Sequence, residues 1–116
     1  MVAYLNGASG PDVTAFELAL ASEEAMLPPA VVAEAMSAPE ADLRVAALLE
    51  GLQMLPLLDG YWQRVGQLRR MLRAHGRRAR LGDALISQSC LDHDVPLITR
   101  DADFRANAEL CGLKLA

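Results

Sequence analysis

The stretch LGDALISQSCLDHDVPLITRDADF, residues 81–104, decides the fold. It opens with apolar residues at helical spacing and continues into a short apolar run at residues 95–99. Two carboxylates, Asp101 and Asp103, follow that run directly. In α/β proteins, ligands bind beyond the carboxyl ends of parallel strands. The stretch therefore predicts an α/β fold with Asp101 and Asp103 at the functional edge of the sheet.

Short strands and helices alternate along the rest of the chain as well. Residues 26–27 and 52–58 are too short for helices and are candidate buried strands. Apolar residues every three or four positions from Tyr61 to Leu72 trace one stripe of an amphipathic helix. The pattern predicts one domain, residues 1–116, with a mainly parallel central sheet flanked by helices. Further helices are expected over residues 11–24, 29–36, 43–51 and 103–110, and another is expected to begin at Gly82-Asp83.

The composition excludes several classes of protein. The 116 residues are 53% hydrophobic and 22% charged, which excludes a disordered chain. No apolar run approaches the ~18 to 20 residues of a membrane span, and the N-terminal sequence lacks the features of a secretion signal. Cys90 and Cys111 are too few for a disulfide framework. We therefore expect a cytoplasmic protein without a membrane partner, and the mean hydropathy of +0.17 indicates apolar surface covered by another chain.

The chain has a net charge of −4 but contains a strongly basic segment. Seven of the eleven cationic side chains lie between Asp59 and Asp83, an interval without acidic residues. All seven are arginines, which bind phosphate bidentately better than lysine does. The segment is either a solvated helix face with a basic loop or a phosphate-binding surface. For the second alternative, the candidate RNA-binding residues are Arg73, Arg77, Arg78 and Arg80.

Four carboxylates are candidates for a metal site: Glu34, Asp83, Asp101 and Asp103. Taken singly, each is explained by helix capping or by the helix dipole. Convergence at one edge would cost stability unless a cation is bound, and an oxygen-only set favours Mg²⁺ or Mn²⁺. Such an ion activates water and offsets charge on a phosphodiester, as in metal-dependent nucleases. The sequence contains no phosphate-binding loop, paired-histidine zinc motif, nucleophile elbow or dinucleotide fingerprint.

Four segments together resemble a PIN domain. LGDALI (81–86) and VPLITRDADF (95–104) are similar to its C-terminal half, GLKL (112–115) to its last strand, and LPPAVVAE (27–34) to its second acidic motif. The resemblance covers nearly the whole chain and implies a three-layer α/β fold. PIN domains of this size are mostly VapC-like toxins of VapBC toxin–antitoxin pairs, which are magnesium-dependent ribonucleases. The implied partners are RNA, a cognate antitoxin and a second copy in a homodimer.

The resemblance also assigns roles to individual residues. Glu34, Asp83 and Asp101 match the acidic cluster and are the implied catalytic and metal-binding residues, with Mg²⁺ or Mn²⁺ as the cofactor. Asp103 is implied as an adjacent supporting carboxylate. Thr99 is implied as a hydroxyl near the water that the metal activates.

The N-terminal sequence departs from the family pattern. The family opens with a strand that ends in Asp-Thr-Asn or Asp-Thr-Ser, whose Asp is a principal metal ligand, whereas Met1 begins a segment that looks like the residues just after that motif. We expect the first strand to be incomplete, either because the true start lies upstream or because the chain is truncated. The first alternative predicts an active ribonuclease. The second predicts an inactive PIN-like protein that binds RNA or another partner, and an unrelated small phosphotransfer or signalling domain is a third alternative.

Overall fold

The computed structural model describes residues 26–37, 50–99 and 101–116. The predicted helix at residues 11–24 and nearly all of the one at 43–51 lie outside the described residues, as does the N-terminal departure from the family pattern. No helix in the described ranges combines the length and apolar content that a membrane crossing requires. The elements are β1 (Met26–Leu27), α1 (Pro29–Ser37), β2 (Gln53–Met54), α2 (Tyr61–Ala74), α3 (Leu81–Asp92), a 3₁₀ turn (Ala102–Phe104) and α4 (Arg105–Cys111).

The strands pair in parallel, as the sequence predicts. Strand β1 lies beside β2, with Leu27 opposite Met54. A separate parallel bridge joins Leu97 to Leu115, in the segment predicted as the last strand. Helices connect and flank these short strands, which confirms the predicted α/β fold.

Two strands are shorter than predicted because each contains a proline. The predicted strands cover residues 52–58 and 95–99, but within them only β2 and the single bridge at Leu97 form. Pro56 and Pro96 have no N–H and cannot donate to a strand ladder. The prediction that residues 52–58 are buried is also wrong, since only Leu55 is buried there, Leu52 is half-buried and the other five residues are exposed. The run at residues 95–99 is mostly half-buried, with Leu97 buried.

The buried side chains form two apolar clusters. All four residues of the predicted stripe on α2 are buried, which confirms the amphipathic helix. Helix α3 contributes Ala84 to the α2 cluster, and Ile86 and Cys90 to the other, so it joins the two clusters. The α2 cluster consists of Tyr61, Val65, Leu68, Leu72 and Ala84. The other cluster consists of Leu27, Val31, Ala35, Ile86, Cys90, Leu97, Phe104 and Leu113.

An ion pair fixes α3 against α2. The Arg64 guanidinium donates from Nε and Nη2 to the two carboxylate oxygens of Asp92, at 2.8 and 2.6 Å. Gln88 donates to the same carboxylate at 2.8 Å. These hydrogen bonds, that of Arg64 foremost, hold the pKa of Asp92 below its usual range. Because the pair joins the first turns of α2 to the last turn of α3, the basic end of α2 lies toward the start of α3.

Candidate metal centre

Three carboxylates converge where α3 begins. One oxygen from each of Asp83, Asp101 and Asp103 lies within 4.8 Å of the other two. Asp83 stands in the first turn of α3 and is half-buried, whereas the two others are exposed on the 3₁₀ turn and its N-cap. The structure thus brings together two predicted metal ligands, Asp83 and Asp101, and the predicted supporting residue Asp103. We refer to these three residues as the acidic cluster.

Local hydrogen bonds position the second half of the acidic cluster. The Asp101 carboxylate accepts a hydrogen bond from the Asp103 N–H at 2.9 Å and so caps the 3₁₀ turn. The Asp101 N–H donates to the Thr99 hydroxyl at 3.1 Å. Phe104 is buried in the core and anchors the far end of the turn. Thr99, which the resemblance places near the metal, here supports the backbone of Asp101.

Glu34 approaches the acidic cluster from α1. It is exposed, and among the described residues it does not belong to the group of three mutually close oxygens. Its position depends on Gly82, because a Cβ atom at that residue would lie 2.6 Å from Glu34 Oε1. The charge of Glu34 also contributes to the raised pKa of Asp83. The predicted ligand is therefore adjacent to the cluster, at a contact that only a glycine permits.

The surroundings of Asp83 disfavour its charged form. Burial raises the pKa of Asp83, and the negative charges of Asp101, Glu34 and Asp103 raise it further, whereas Arg80 lowers it. The charged form of Asp83 is therefore disfavoured in the folded chain, and a bound cation would favour it. Oxygen ligands without His or Cys suit a hard divalent cation. The donor set present here fits Mg²⁺ or Mn²⁺.

A cleft of about 320 Å³ opens beside Asp83 and Asp103. Arg77, Arg78 and Arg105 also line the cleft, as does Glu109, which pairs with Arg77, and we refer to these three arginines as its basic side. Carboxylates for a cation and guanidinium groups for an anion therefore face the same space. This arrangement can bind a phosphodiester and a divalent ion together.

The predicted RNA-binding arginines occupy different positions. Arg77 and Arg78 line the cleft, whereas Arg73 lies in the last turn of α2 and is not among the lining residues. Arg80 forms a 3.6 Å ion pair with the Asp103 carboxylate. Arg105 was not predicted from the sequence, because it lies outside the basic segment. Its place two residues after Asp103, across a buried Phe, is the signal that could have revealed it.

Gly82→Ala is expected to weaken ion binding without destabilising the fold. The added Cβ displaces the flexible end of Glu34 from the cluster, whereas alanine in a helix is favoured over glycine by up to about 1 kcal/mol. Thermal unfolding with and without Mg²⁺ measures both effects. Gly66→Ala is the matched control, since a Cβ at that position on α2 meets nothing within 4 Å. An unchanged response to Mg²⁺ in Gly82→Ala would remove Glu34 from the metal centre.

A sequence model of the PIN domain matches residues 1–110 of the chain. No curated protein and no solved structure matches it. PIN domains are generally metal-dependent nucleases, typically use divalent ions and act on nucleic acid. The acidic cluster at the start of α3 and the basic side of the adjoining cleft agree with that chemistry. Because the match extends over almost the entire sequence, the chain belongs to the PIN domain family.

Proposed function

We propose that this protein is an endoribonuclease that depends on Mg²⁺ or Mn²⁺. The observation that carries the proposal is the convergence of Asp83, Asp101 and Asp103 within 4.8 Å beside a cleft with a basic side. Glu34, Asp83 and Asp101 are the proposed ligands of the ion, with Asp103 as the supporting carboxylate. When bound, the ion would supply activation of water and neutralisation of the charge that develops on the phosphodiester.

The protein's own residues have distinct tasks in this proposal. Asp83 is half-buried at the base of the cluster and supplies the negative charge that is least screened by water. Thr99 holds the backbone of Asp101 and so fixes the direction of that carboxylate. Arg77 and Arg78 on the basic side of the cleft contact the RNA backbone, while Arg73 and Arg80 are proposed to extend the basic surface around it.

The ribonuclease proposal predicts RNA cleavage that requires a divalent ion. The purified chain, stripped with a chelator, is incubated with single-stranded RNA and the products are separated by size. We expect cleavage when Mg²⁺ or Mn²⁺ is added and none while the chelator is in excess, because the acidic cluster then lacks its cation. Asp83→Asn, purified identically, controls for contaminating ribonuclease. RNA binding without cleavage in either metal would instead support the alternative of an inactive binding protein.

We further propose that the protein is the toxin of a type II toxin–antitoxin pair, cytoplasmic and homodimeric. The support is the VapC-like sequence pattern together with exposed apolar side chains before and within the first turn of α2. Trp62 is 64% exposed and Met54 56% exposed, with Leu57 and Leu58 also exposed nearby. Apolar side chains at this density favour contact with another chain. Light scattering during gel filtration tests the dimer, and a mass of one chain would contradict it.

A further inference from the structure

Among the described residues, the side chains of two arginines that line the cleft have no partner. Arg78 and Arg105 are exposed, line the cleft together with Asp83 and Asp103, and their guanidinium groups make no ion pair or hydrogen bond within residues 26–37, 50–99 and 101–116. Both side chains line the cleft with carboxylates but pair with none of the described ones. These two remain available for a ligand.

Four other arginines of the basic segment contact groups of the protein. Arg64 is held by Asp92, and Arg69 donates from Nε to the Ala79 carbonyl at 2.9 Å. Of the others near the cleft, Arg77 contacts Glu109 at 3.4 Å and Arg80 contacts Asp103 at 3.6 Å. The basic segment therefore does not act as a uniform surface. Some of its arginines are held by groups of the protein, and others are not.

The two free arginines are fixed relative to the acidic cluster by the chain itself. The segment that enters α3 carries Arg78 and, five residues later, Asp83. The segment that enters α4 carries Asp103 and Arg105 on either side of the buried Phe104. Each segment thus brings one cation and one carboxylate to the same cleft. The spacing between the anion-binding and cation-binding sides is set by two short, anchored stretches of backbone.

We propose that Arg78 and Arg105 bind one backbone phosphate of the RNA and thereby position the chain next to the acidic cluster. The inference rests on the proposed ribonuclease function and deepens it. Two unpaired guanidinium groups in one cleft repel each other, and a phosphate offsets both charges. Arginine presents a planar fork that donates two parallel hydrogen bonds to phosphate oxygens. Both are substrate-positioning residues, and Arg105 belongs to this role although it lies outside the basic segment.

Binding of RNA without cleavage tests this assignment. The probe is a short, fluorescently labelled oligouridylate in excess chelator, titrated with protein at several salt concentrations. We expect Arg78→Ala and Arg105→Ala each to weaken RNA binding about tenfold. This is the lower end of the loss in affinity expected when one hydrogen bond to a charged group is removed. The slope of log affinity against log salt should fall by up to roughly 0.7, the value for one phosphate contact on a single strand. Arg70→Ala, exposed on α2 and not among the residues lining the cleft, is the matched control and should bind nearly as the parent does.

A conservative variant separates the phosphate contact from a structural role. Arg105→Lys keeps the charge but loses the fork, so it should retain the salt slope of the parent while binding more weakly. In cleavage assays with Mg²⁺, Arg105→Ala should raise KM and leave kcat nearly unchanged, because the phosphate contact is made before and during the reaction alike. Thermal unfolding of all variants should match that of the parent, since both side chains are exposed.

The outcomes distinguish this inference from the ribonuclease proposal. If the parent binds and cleaves RNA while Arg78→Ala and Arg105→Ala bind as the parent does, the arginine assignment is overturned and the ribonuclease proposal stands. If the arginine variants lose affinity and salt slope but no metal supports cleavage, the assignment stands and the ribonuclease proposal fails. If the parent binds no oligouridylate at any salt concentration, both are wrong.

Discussion

Asp101→Asn is expected to reduce metal-dependent RNA cleavage by at least about a hundredfold, equivalent to roughly 3 kcal/mol of transition-state stabilisation. The substitution removes a negative charge from the acidic cluster. It keeps the Oδ1 atom that accepts the hydrogen bond from the Asp103 N–H, so the 3₁₀ turn is preserved. Initial rates of RNA cleavage at saturating Mg²⁺ measure the loss. An equal melting temperature in the chelator would confirm that the fold is intact.

Asp94→Asn provides the matched control for that comparison. Asp94 is exposed, pairs with Lys114 at 2.8 Å and takes no part in the acidic cluster. Its backbone φ of 52° is tolerated by asparagine. Asp103→Asn should cause a smaller loss than Asp101→Asn, because the charge of Asp103 is already partly offset by Arg80. Equal rates for Asp101→Asn and Asp94→Asn would exclude Asp101 from the metal centre.

The second large effect concerns stability. Without divalent ions, Asp83→Asn is expected to melt a few degrees above the parent at neutral pH, because it removes a half-buried charge surrounded by other carboxylates. Mg²⁺ should stabilise the parent, by about 2.7 kcal/mol at an ion concentration of about one hundred times Kd. The variant should lose most of that gain. Melting temperatures with chelator and with millimolar Mg²⁺ measure both effects.

The difference in stability between Asp83→Asn and the parent should change with pH in one direction. The pKa of Asp83 is higher in the folded chain than in the unfolded chain, so the folded state binds more protons between the two values. The parent therefore loses stability as pH rises through that interval. The advantage of Asp83→Asn should be complete above the raised pKa and should vanish below the pKa of an unfolded aspartate. A constant difference across the acidic range would contradict the electrostatic explanation.

The sequence predicts the helices of this protein better than its strands. The apolar stripe from Tyr61 to Leu72 identifies α2 because helical periodicity is a local property. Strand length depends on which backbone groups find a partner, and Pro56 and Pro96 limit that in a way that hydrophobicity does not show. The parallel arrangement follows from the alternation of elements, so the fold class is predictable even where the strand ends are not.

The candidate site could be predicted in part from the sequence for a similar reason. Asp101 and Asp103 follow the predicted strand at residues 95–99, and Asp83 stands at the predicted start of a helix, so the order of the elements alone predicts their convergence. The close approach of Glu34 to Gly82 and the role of Thr99 in holding Asp101 are tertiary and turn contacts that a residue pattern does not contain. Arg105 could be identified only from the residues that line the cleft. A single arginine in a segment of mixed composition has no distinctive spacing. The functional roles of all these residues stay predictions until the variants are measured.

The position of helix α3 between the two apolar clusters affects which parts of the protein can open separately. It belongs to both apolar clusters, and its first turn carries Asp83. Tyr61 on α2 donates a hydrogen bond to the Leu85 carbonyl of α3 at 2.7 Å, at the point where the two clusters meet. A fluctuation that detaches α3 exposes both clusters at once. The free energy of opening one cluster is therefore close to the free energy of opening both. An ion at the start of α3 would then slow the hydrogen exchange of amides on α1 and α2 that never touch it.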